Sequence, residues 1–364
     1  MGDNSGSNNR QKRRHLEQLA AYREDTLKKH PELRTLFLEM TVRCNEHCRH
    51  CGSSCGDIRE EEPLSKEEIL GFLRSLKGQM DISRLKLCIT GGEPLLRPDF
   101  FAIMEGAHRL GYQWGMTSNG LLMDKETVTA LARTGMRTVS VSLDGLKESH
   151  EWFRQLPGSF GRTLEGVRNL LAQGSFDHVQ ITTVVHHRNI GELEELYRLV
   201  SSLGVRSWRV INMEPIGRAK EQPELCLSPE EYRQLFAFIR EKRFAGPVEV
   251  CYGCSHFLGI ELEREVRPWY FLCNAGVYTA SICYNGDITS CLDLERRPEY
   301  IEGNIRRDDF LTVWRDGFAK YRTDFRRTGK CASCEYFRYC GGDSFHSWNL
   351  EEMRPELCFR GILF

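Results

Sequence analysis

Three cysteines in one short loop are the residues of this sequence whose types and spacing say most about its chemistry. Cys44, Cys48 and Cys51 follow a C-x3-C-x2-C pattern directly after a short apolar run. Thiolates select iron-sulfur clusters or zinc, and structural zinc sites close with four ligands, usually in two separated pairs. Three thiolates on a four-iron cluster instead leave one iron open. We therefore interpret the loop as a catalytic iron-sulfur site, with a zinc site completed by His47 or His50 as the alternative.

This loop resembles the hallmark of the radical S-adenosylmethionine (AdoMet) superfamily, and the resemblance covers most of the chain. It implies a 4Fe-4S cluster and AdoMet as cofactors. In that superfamily the open iron binds the amino and carboxylate groups of AdoMet. An electron from the cluster then cleaves the sulfonium to methionine and a 5'-deoxyadenosyl radical, which takes a hydrogen atom from the substrate.

A second motif carries the same resemblance. Gly91, Gly92 and Glu93, followed by Pro94, match the GGEP motif of the superfamily completely. In that motif bare glycine backbone approaches the AdoMet amino group, and backbone carbonyls and the glutamate accept its protons. We therefore expect these three residues to bind the cofactor.

Further cofactor-binding residues are expected at the carboxyl ends of the predicted strands and in the loops that follow them. By the same resemblance, Ser142 and Asp144 would contact the ribose hydroxyls or the methionine carboxylate of AdoMet, and Asn119 and Val184 would flank its adenosine. For Asn119 and Val184, a structural turn or barrel packing is the alternative interpretation. Arg154 lies in a segment that is familiar from this branch of the superfamily, and we expect it to pair with a carboxylate.

The C-terminal region contains a second, orderly set of cysteines. Their spacing resembles the SPASM extension, which holds auxiliary 4Fe-4S clusters in radical AdoMet enzymes that modify peptides and proteins. By the connectivity of that family, the ligands of an outer auxiliary cluster would be Cys331, Cys334, Cys340 and Cys358. The resemblance therefore implies one or two auxiliary iron-sulfur clusters.

The inner auxiliary cluster lacks one of its usual ligands in this sequence. By the resemblance it would take Cys273 and Cys291, but a further family cysteine position is occupied here by Ser344. We expect Cys254 to replace the missing ligand, with Cys283 as the next candidate. Zinc, or a three-ligand cluster with an open iron, stays open as an alternative, because the nearby C-x2-C pair that ends at Cys254 also has zinc spacing.

The elements that must position these residues follow a regular alternation. Beta-rich runs separated by helical patterns predict parallel βαβ units. Six such units give an α/β fold, a partial (βα)6 barrel with its active site at the carboxyl ends of the strands, followed by a small cysteine-rich SPASM-like domain. The predicted strands cover residues 36–41, 84–90, 113–117, 137–143, 178–185 and 206–213.

We predict four segments along the chain. Residues 1–34 form a tail, disordered to about residue 12, plus an N-terminal helix, and residues 35–225 form the barrel. Residues 226–265 form a helical bridging region that opens with a capping box at Ser228, and residues 266–364 form the auxiliary cluster domain. A second capping box is predicted at Ser65, at the start of the helix after the cysteine loop. The stretch before the first strand is too short for a peptide-binding domain, so we expect leader-peptide recognition from elsewhere, such as a separate leader-peptide-binding protein.

Composition excludes several classes of protein. The 364 residues have a formal net charge of -1, which leaves no global basic footprint for nucleic-acid binding. No apolar run is long enough for a membrane span, and the polar start is unlike a signal peptide, so we expect a cytoplasmic protein. Fifteen cysteines in a long chain of this kind point to metal ligation rather than to a secreted disulfide scaffold.

The leading functional hypothesis is a ribosomal peptide maturase. Such an enzyme would abstract hydrogen from a residue of a peptide or protein substrate, leading to a crosslink or an oxidation, and would need an electron donor such as flavodoxin or ferredoxin. Asp293, one residue from the position of the base in oxidising members, and Asp343 are the candidate catalytic bases. The first alternative is an enzyme of cofactor or tetrapyrrole maturation. The other is a non-catalytic iron-sulfur electron carrier or zinc protein, against which the intact GGEP motif argues.

Overall fold

The computed structural model describes residues 4–364, with side chains from residue 8 onward. One sheet contains ten strands, in the order β10-β9-β8-β1-β2-β3-β4-β5-β6-β7, and a small hairpin contains β11 and β12. The strands are β1 (Thr35–Glu39), β2 (Lys86–Thr90), β3 (Gln113–Ser118), β4 (Met136–Ser142), β5 (His178–Val185), β6 (Ser207–Asn212), β7 (Glu249–Tyr252), β8 (Thr279–Ile282), β9 (Asp287–Thr289), β10 (Gly303–Asn304), β11 (Trp348–Asn349) and β12 (Arg354–Pro355).

The helices lie mainly between consecutive parallel strands, as βαβ units require. They are α1 (Asn4–Tyr22), α2 (Lys66–Gln79), α3 (Phe100–Arg109), α4 (Lys125–Arg133), α5 (Lys147–Arg154), α6 (Ser159–Gln173), α7 (Leu193–Ser202), α8 (Pro229–Lys242), α9 (Gly259–Leu262), α10 (Phe310–Asp316), α11 (Gly329–Ala332) and α12 (Phe337–Cys340).

Alternation along the strands separates the helix-covered core from the interior of the barrel. On β1, Leu36 and Leu38 are buried in the main hydrophobic core, whereas Thr35 and Phe37 line an internal cavity. Successive side chains of a strand point to opposite faces, so one face packs against the helices and the other faces the lumen. The core therefore lies between the sheet and its helices, and the lumen is left for ligands.

The six strands predicted for the barrel are all present, with bounds within two residues of the prediction. Both predicted capping boxes form, at Ser65 before α2 and at Ser228 before α8. Each satisfies backbone N–H groups that have no partner inside the helix.

The sheet extends further than the sequence predicts. The barrel was expected to end before Ser228, but β7 pairs in parallel with β6. On the other side, β8 pairs in parallel with β1. The sheet therefore crosses the predicted boundaries at residues 226 and 266, because pairing between strands depends on contacts that are remote in sequence.

The N-terminal segment also differs from its prediction. Helix α1 begins at Asn4, within the stretch that was expected to be disordered, and residues 1–3 lie outside the described residues. Leu16 of this helix is buried with Phe257 and Tyr339, and Lys12 pairs with Glu265 at 2.5 Å. These contacts with the C-terminal region order the helix. Within the described residues, no helix is long and apolar enough to cross a membrane.

Candidate active site and cysteine centres

The loop after β1 brings its three cysteines together. The thiols of Cys44, Cys48 and Cys51 lie close enough to affect one another's ionisation. Burial raises the pKa of Cys44 to about 11, and burial also raises the pKa of Cys48 above its usual range. Buried thiols of this kind ionise readily only when a cation compensates them, so the donor set fits a thiolate-bound iron cluster.

Arg218, from the loop after β6, holds the cysteine loop in place. Its Nε donates to the Cys48 carbonyl at 2.9 Å, and its Nη1 donates to the Cys55 carbonyl at 3.0 Å. Asp57 pairs with the same guanidinium. Next to it, Gly217 has φ of 57°, and an added Cβ would overlap the Cys51 carbonyl oxygen. The loop after β6 therefore holds the cysteine loop after β1 in place.

Gly91 and Gly92 pack against the backbone of the same cysteine loop. Gly92 N–H donates to the Thr41 carbonyl at 2.8 Å, and Gly91 has φ of 151°. An added Cβ on Gly91 would overlap the Thr41 carbonyl oxygen, and one on Gly92 would overlap that of Arg43. Both glycines are thus required for this close approach, whatever they contribute to AdoMet binding.

Glu93 lies at the predicted rim but is bonded within the protein. It is fully buried, and one of its carboxylate oxygens accepts from Ser118 Oγ at 3.0 Å and from Asn119 N–H at 3.0 Å. Burial raises the pKa of Glu93 to about 7. Asn119 in turn donates through Nδ2 to Asn45 of the cysteine loop at 2.6 Å. The expected AdoMet contacts of Glu93 and Asn119 stay predictions.

Arg154 joins two buried carboxylates beside the cysteine loop. Its Nε donates to Asp144 Oδ2 at 2.7 Å, and its Nη1 donates to Glu46 Oε2 at 2.9 Å. Burial alone would raise the pKa of Asp144, but the charges of Arg154 and His50 outweigh burial and lower it to about 2. The sequence analysis missed Glu46, for which its place between Cys44 and Cys48 was the available signal.

A single large cavity connects the barrel with the C-terminal cysteines. Its volume is about 1130 Å³. Its wall contains four of the predicted cofactor-binding residues, Ser142, Asp144, Arg154 and Val184. It also contains the predicted ligands Cys254, Cys273 and Cys291, together with Asp293. The predicted AdoMet site and the predicted inner-cluster site therefore open into the same space.

The four cysteines expected to hold the outer cluster also lie together. The thiols of Cys334 and Cys358 lie near Cys331 and, after burial, contribute to raising its pKa. Cys358 has a smaller effect of the same kind on Cys340, whose pKa is raised first by burial. Arg360 Nη1 donates to Cys334 Sγ at 3.4 Å. Four convergent thiols with a nearby cation fit an iron-sulfur cluster.

Three of the four cysteines considered for the inner cluster line the cavity, and the fourth lies elsewhere. Cys254, Cys273 and Cys291 all line the cavity, and the hydroxyl of Ser344 donates to the Ser255 carbonyl next to Cys254. Cys283 is buried outside this wall, near Glu39 and Arg296. Cys254 therefore shares a cavity wall with the two cysteines expected for this cluster, whereas Cys283 does not.

The two candidate bases have different surroundings. Asp293 lines the cavity, and its Oδ2 accepts from Cys291 Sγ at 3.5 Å. Asp343 lies outside the wall, with Oδ1 accepting from Phe257 N–H at 3.1 Å and Oδ2 lying 3.1 Å from His256 Nδ1. Asp343 thus orients a histidine, whereas Asp293 is positioned to face a ligand.

Comparison with known proteins agrees with this geometry. Residues 38–200 match the Radical SAM superfamily, and residues 273–335 match the SPASM family, described as an iron-sulfur cluster-binding domain. The chain is 30% identical to the AdoMet-dependent heme synthase of Methanosarcina barkeri (strain Fusaro / DSM 804), over 85% of this chain and 90% of that protein. The chain belongs to the radical SAM superfamily.

Two further likenesses are more distant. This radical SAM protein is 29% identical to mycofactocin maturase MftC of Mycobacterium tuberculosis (strain CDC 1551 / Oshkosh), over 84% of this chain and 77% of that protein. Its fold resembles that of Streptococcus suis SuiB bound to S-adenosylmethionine, with a TM-score of 0.70 and 19% identity, over 88% of this chain and 76% of that one.

Family membership confirms several predictions made from the sequence. The chain is a radical SAM enzyme whose cofactors are a 4Fe-4S cluster and AdoMet, and its SPASM domain binds auxiliary iron-sulfur clusters. The partial barrel followed by an auxiliary domain is likewise confirmed.

Proposed function

We propose that this radical SAM enzyme takes a hydrogen atom from a carboxylate-bearing tetrapyrrole held in the cavity between its barrel and its SPASM domain. The observation that carries the proposal is unpaired positive charge. Four basic residues of the cavity wall are exposed and form no ion pair among the described residues: Arg84, Lys86, Arg209 and Arg264. Carboxylates form strong charge-assisted hydrogen bonds with such groups. Similarity to AdoMet-dependent heme synthases supports the same class of substrate.

We assign the radical-generating cluster to Cys44, Cys48 and Cys51. When bound, this cluster supplies the electron for cleavage of AdoMet. Arg154 and Asp144, with their mutual ion pair, form a rigid wall for AdoMet beside these cysteines. Ser142 and Val184 complete that wall. Glu93 and Asn119 support the cysteine loop.

We assign the auxiliary clusters by the same reasoning. Cys254, Cys273 and Cys291 hold the inner cluster, because they share the wall of the cavity. Asp293, beside Cys291, is positioned to accept a proton that leaves the substrate. The outer cluster takes the convergent set Cys331, Cys334, Cys340 and Cys358. An electron donor such as flavodoxin or ferredoxin and a cytoplasmic location complete the proposal.

Peptide maturation is the second candidate function. The observation in its favour is the 29% identity to mycofactocin maturase MftC. The basic side chains of the cavity would then bind acidic side chains or the terminal carboxylate of a peptide. A separate leader-peptide-binding protein belongs to this alternative alone.

Deuterium transfer distinguishes the two candidates. Reduced, reconstituted enzyme is incubated anaerobically with AdoMet and either an iron porphyrin deuterated in its carboxylate-bearing side chains or a precursor peptide deuterated at successive residues. We expect deuterium in 5'-deoxyadenosine, with a mass change in the porphyrin. Transfer from the peptide alone would replace the tetrapyrrole proposal with peptide maturation.

Neutral variants test the role of the basic side chains. Arg209→Met and Lys86→Met each remove one charge-assisted hydrogen bond, which contributes about 1.5–3 kcal/mol, so KM for the porphyrin should rise by about 10- to 100-fold. Arg137→Met is the matched control, because Arg137 lies on an exposed surface pair with Asp177. An unchanged KM in both test variants contradicts the proposed binding mode.

A further inference from the structure

Three side chains that are far apart in sequence meet at the wall of the cavity. Glu214 follows β6, His256 follows β7, and His346 lies in the SPASM region. Glu214 Oε1 lies 2.9 Å from His256 Nε2 and 3.1 Å from His346 Nε2. One ligand atom from each of the three residues lies within 4.8 Å of the other two. This group is distinct from the cysteines assigned to the clusters.

The group is buried and leaves one oxygen without a partner. His256 is fully buried, and the side chain of Glu214 is 9% exposed. Both imidazoles lie against Oε1 of Glu214, whereas its Oε2 is buried with no hydrogen-bond partner among the described residues. A buried carboxylate oxygen without a protein partner is costly, so this oxygen needs a water molecule or an ion as its partner.

Asp343 gives the group a feature that is typical of metal sites. Its Oδ2 lies 3.1 Å from Nδ1 of His256, on the opposite side of the ring from Glu214. Histidines that bind metals usually donate their second ring N–H to a carboxylate, which fixes the tautomer and directs the other nitrogen at the metal. Asp343 itself has a left-handed backbone conformation, with φ of 71°.

We propose that Glu214, His256 and His346 bind one divalent metal ion of the zinc class, with a fourth position open to the cavity. Two histidines and one glutamate form a known zinc ligand set that keeps a position for water or substrate. Bonds of about 2.0–2.1 Å in a tetrahedron separate the ligand atoms by about 3.3 Å. The two oxygen–nitrogen separations of 2.9 and 3.1 Å need to open by only a few tenths of an ångström, and all three ligand atoms lie within 4.8 Å of one another.

Charge and exposure agree with this assignment. One divalent cation with two neutral imidazoles balances the two carboxylates, Glu214 and Asp343. Glu214 and His346 line the cavity, so the open position faces the space that contains the substrate. Its nitrogen and oxygen donors also differ from the thiolates that bind iron-sulfur clusters.

Metal counting on the holoenzyme tests the proposal. Anaerobically reconstituted enzyme with its clusters in place is incubated with zinc chloride, desalted with a weak chelator, and analysed for zinc and iron. We expect about one zinc per chain in addition to the cluster iron. Glu214→Gln and His346→Gln should each weaken zinc binding by more than about tenfold while the iron content is unchanged.

A surface pair provides the matched control. His187 Nδ1 lies 2.7 Å from Glu231, but the His187 side chain is 62% exposed. His187→Gln should therefore leave the bound zinc unchanged. Zinc that is absent from the wild-type enzyme, or that persists in both test variants, overturns the proposal.

If the variants lose iron as well as zinc, X-ray absorption at the zinc edge identifies the atoms that surround the zinc in the wild-type enzyme. Nitrogen and oxygen neighbours at about 2.0–2.1 Å in the wild-type enzyme support the site, and sulfur neighbours at about 2.3 Å would show that zinc occupies a cysteine site, which overturns it. Neither measurement requires AdoMet cleavage, so its outcome is independent of the proposed function.

Discussion

At the residue scale, the ion pairs of Arg154 make the sharpest prediction about stability. Arg154→Met keeps most of the volume but leaves Glu46 and Asp144 as buried carboxylates without a compensating charge. We expect the free energy of unfolding, measured by denaturant titration of the apoprotein, to fall by about 3–5 kcal/mol.

An exposed arginine shows whether burial is the cause. Arg137 pairs with Asp177 at 2.7 Å, as closely as Arg154 does with Asp144, but with side chains 54% and 52% exposed. Arg137→Met should change the free energy of unfolding by less than about 1 kcal/mol. Equal effects of the two substitutions would contradict the role given to the buried pair.

Gly92 leads to a prediction about cluster binding. In Gly92→Ala the new methyl group overlaps the Arg43 carbonyl oxygen, so the loop that contains Cys44 must move. We expect the iron content after reconstitution to fall by about four per chain, because one 4Fe-4S cluster is no longer held. The measurement is iron per chain together with formation of 5'-deoxyadenosine.

Gly78 provides the control for this substitution. It lies on α2, and an added Cβ would meet nothing within 4 Å. Gly78→Ala should leave the iron content unchanged and raise the free energy of unfolding by about 0.5–1 kcal/mol. Full iron content in Gly92→Ala would show that the loop tolerates the added methyl group.

At the element scale, the start of α8 connects a local signal in the sequence to the extended sheet. Ser228 accepts from the Glu231 N–H, and Glu231 accepts from the Ser228 N–H. Ser228→Ala should lower the free energy of unfolding by about 1 kcal/mol in a denaturant titration, because a backbone N–H loses its partner. Ser75→Ala, within α2, should change it by less than about 0.5 kcal/mol, since no cap is lost.

What the sequence predicts at this scale is local. The six barrel strands and the two capping boxes are encoded within a few residues, so they were predicted correctly. The short strands β7 and β8 were missed, because four residues give little periodic signal and their partners lie far away in the chain.

The same limit applies to the candidate site. The C-x3-C-x2-C loop is visible because its ligands are neighbours in sequence. Glu214, in contrast, meets His256 across 42 residues and His346 across 132, and no spacing rule connects them. Glu46 and Arg154 are 108 residues apart, and their pairing likewise emerges only from the fold.

At the scale of the whole molecule, the cysteine assignments predict three clusters. The reconstituted enzyme should contain roughly 12 iron per chain, and Cys254→Ala should lower this to about eight. Cys283→Ala is the control and should keep the full iron content, because Cys283 lies outside the cavity wall. A plateau near eight iron that Cys254→Ala does not change would mean that the inner cluster is absent.

The pairing of β8 with β1 affects how such proteins can evolve. The SPASM region supplies a strand to the edge of the barrel, so the two cluster-bearing parts share one continuous sheet. Removal of that region would leave β1 with an unpaired edge, a surface that promotes aggregation. The auxiliary region is therefore a poor unit for gene shuffling, and new substrates are more easily acquired by changing side chains of the cavity wall than by exchanging whole modules.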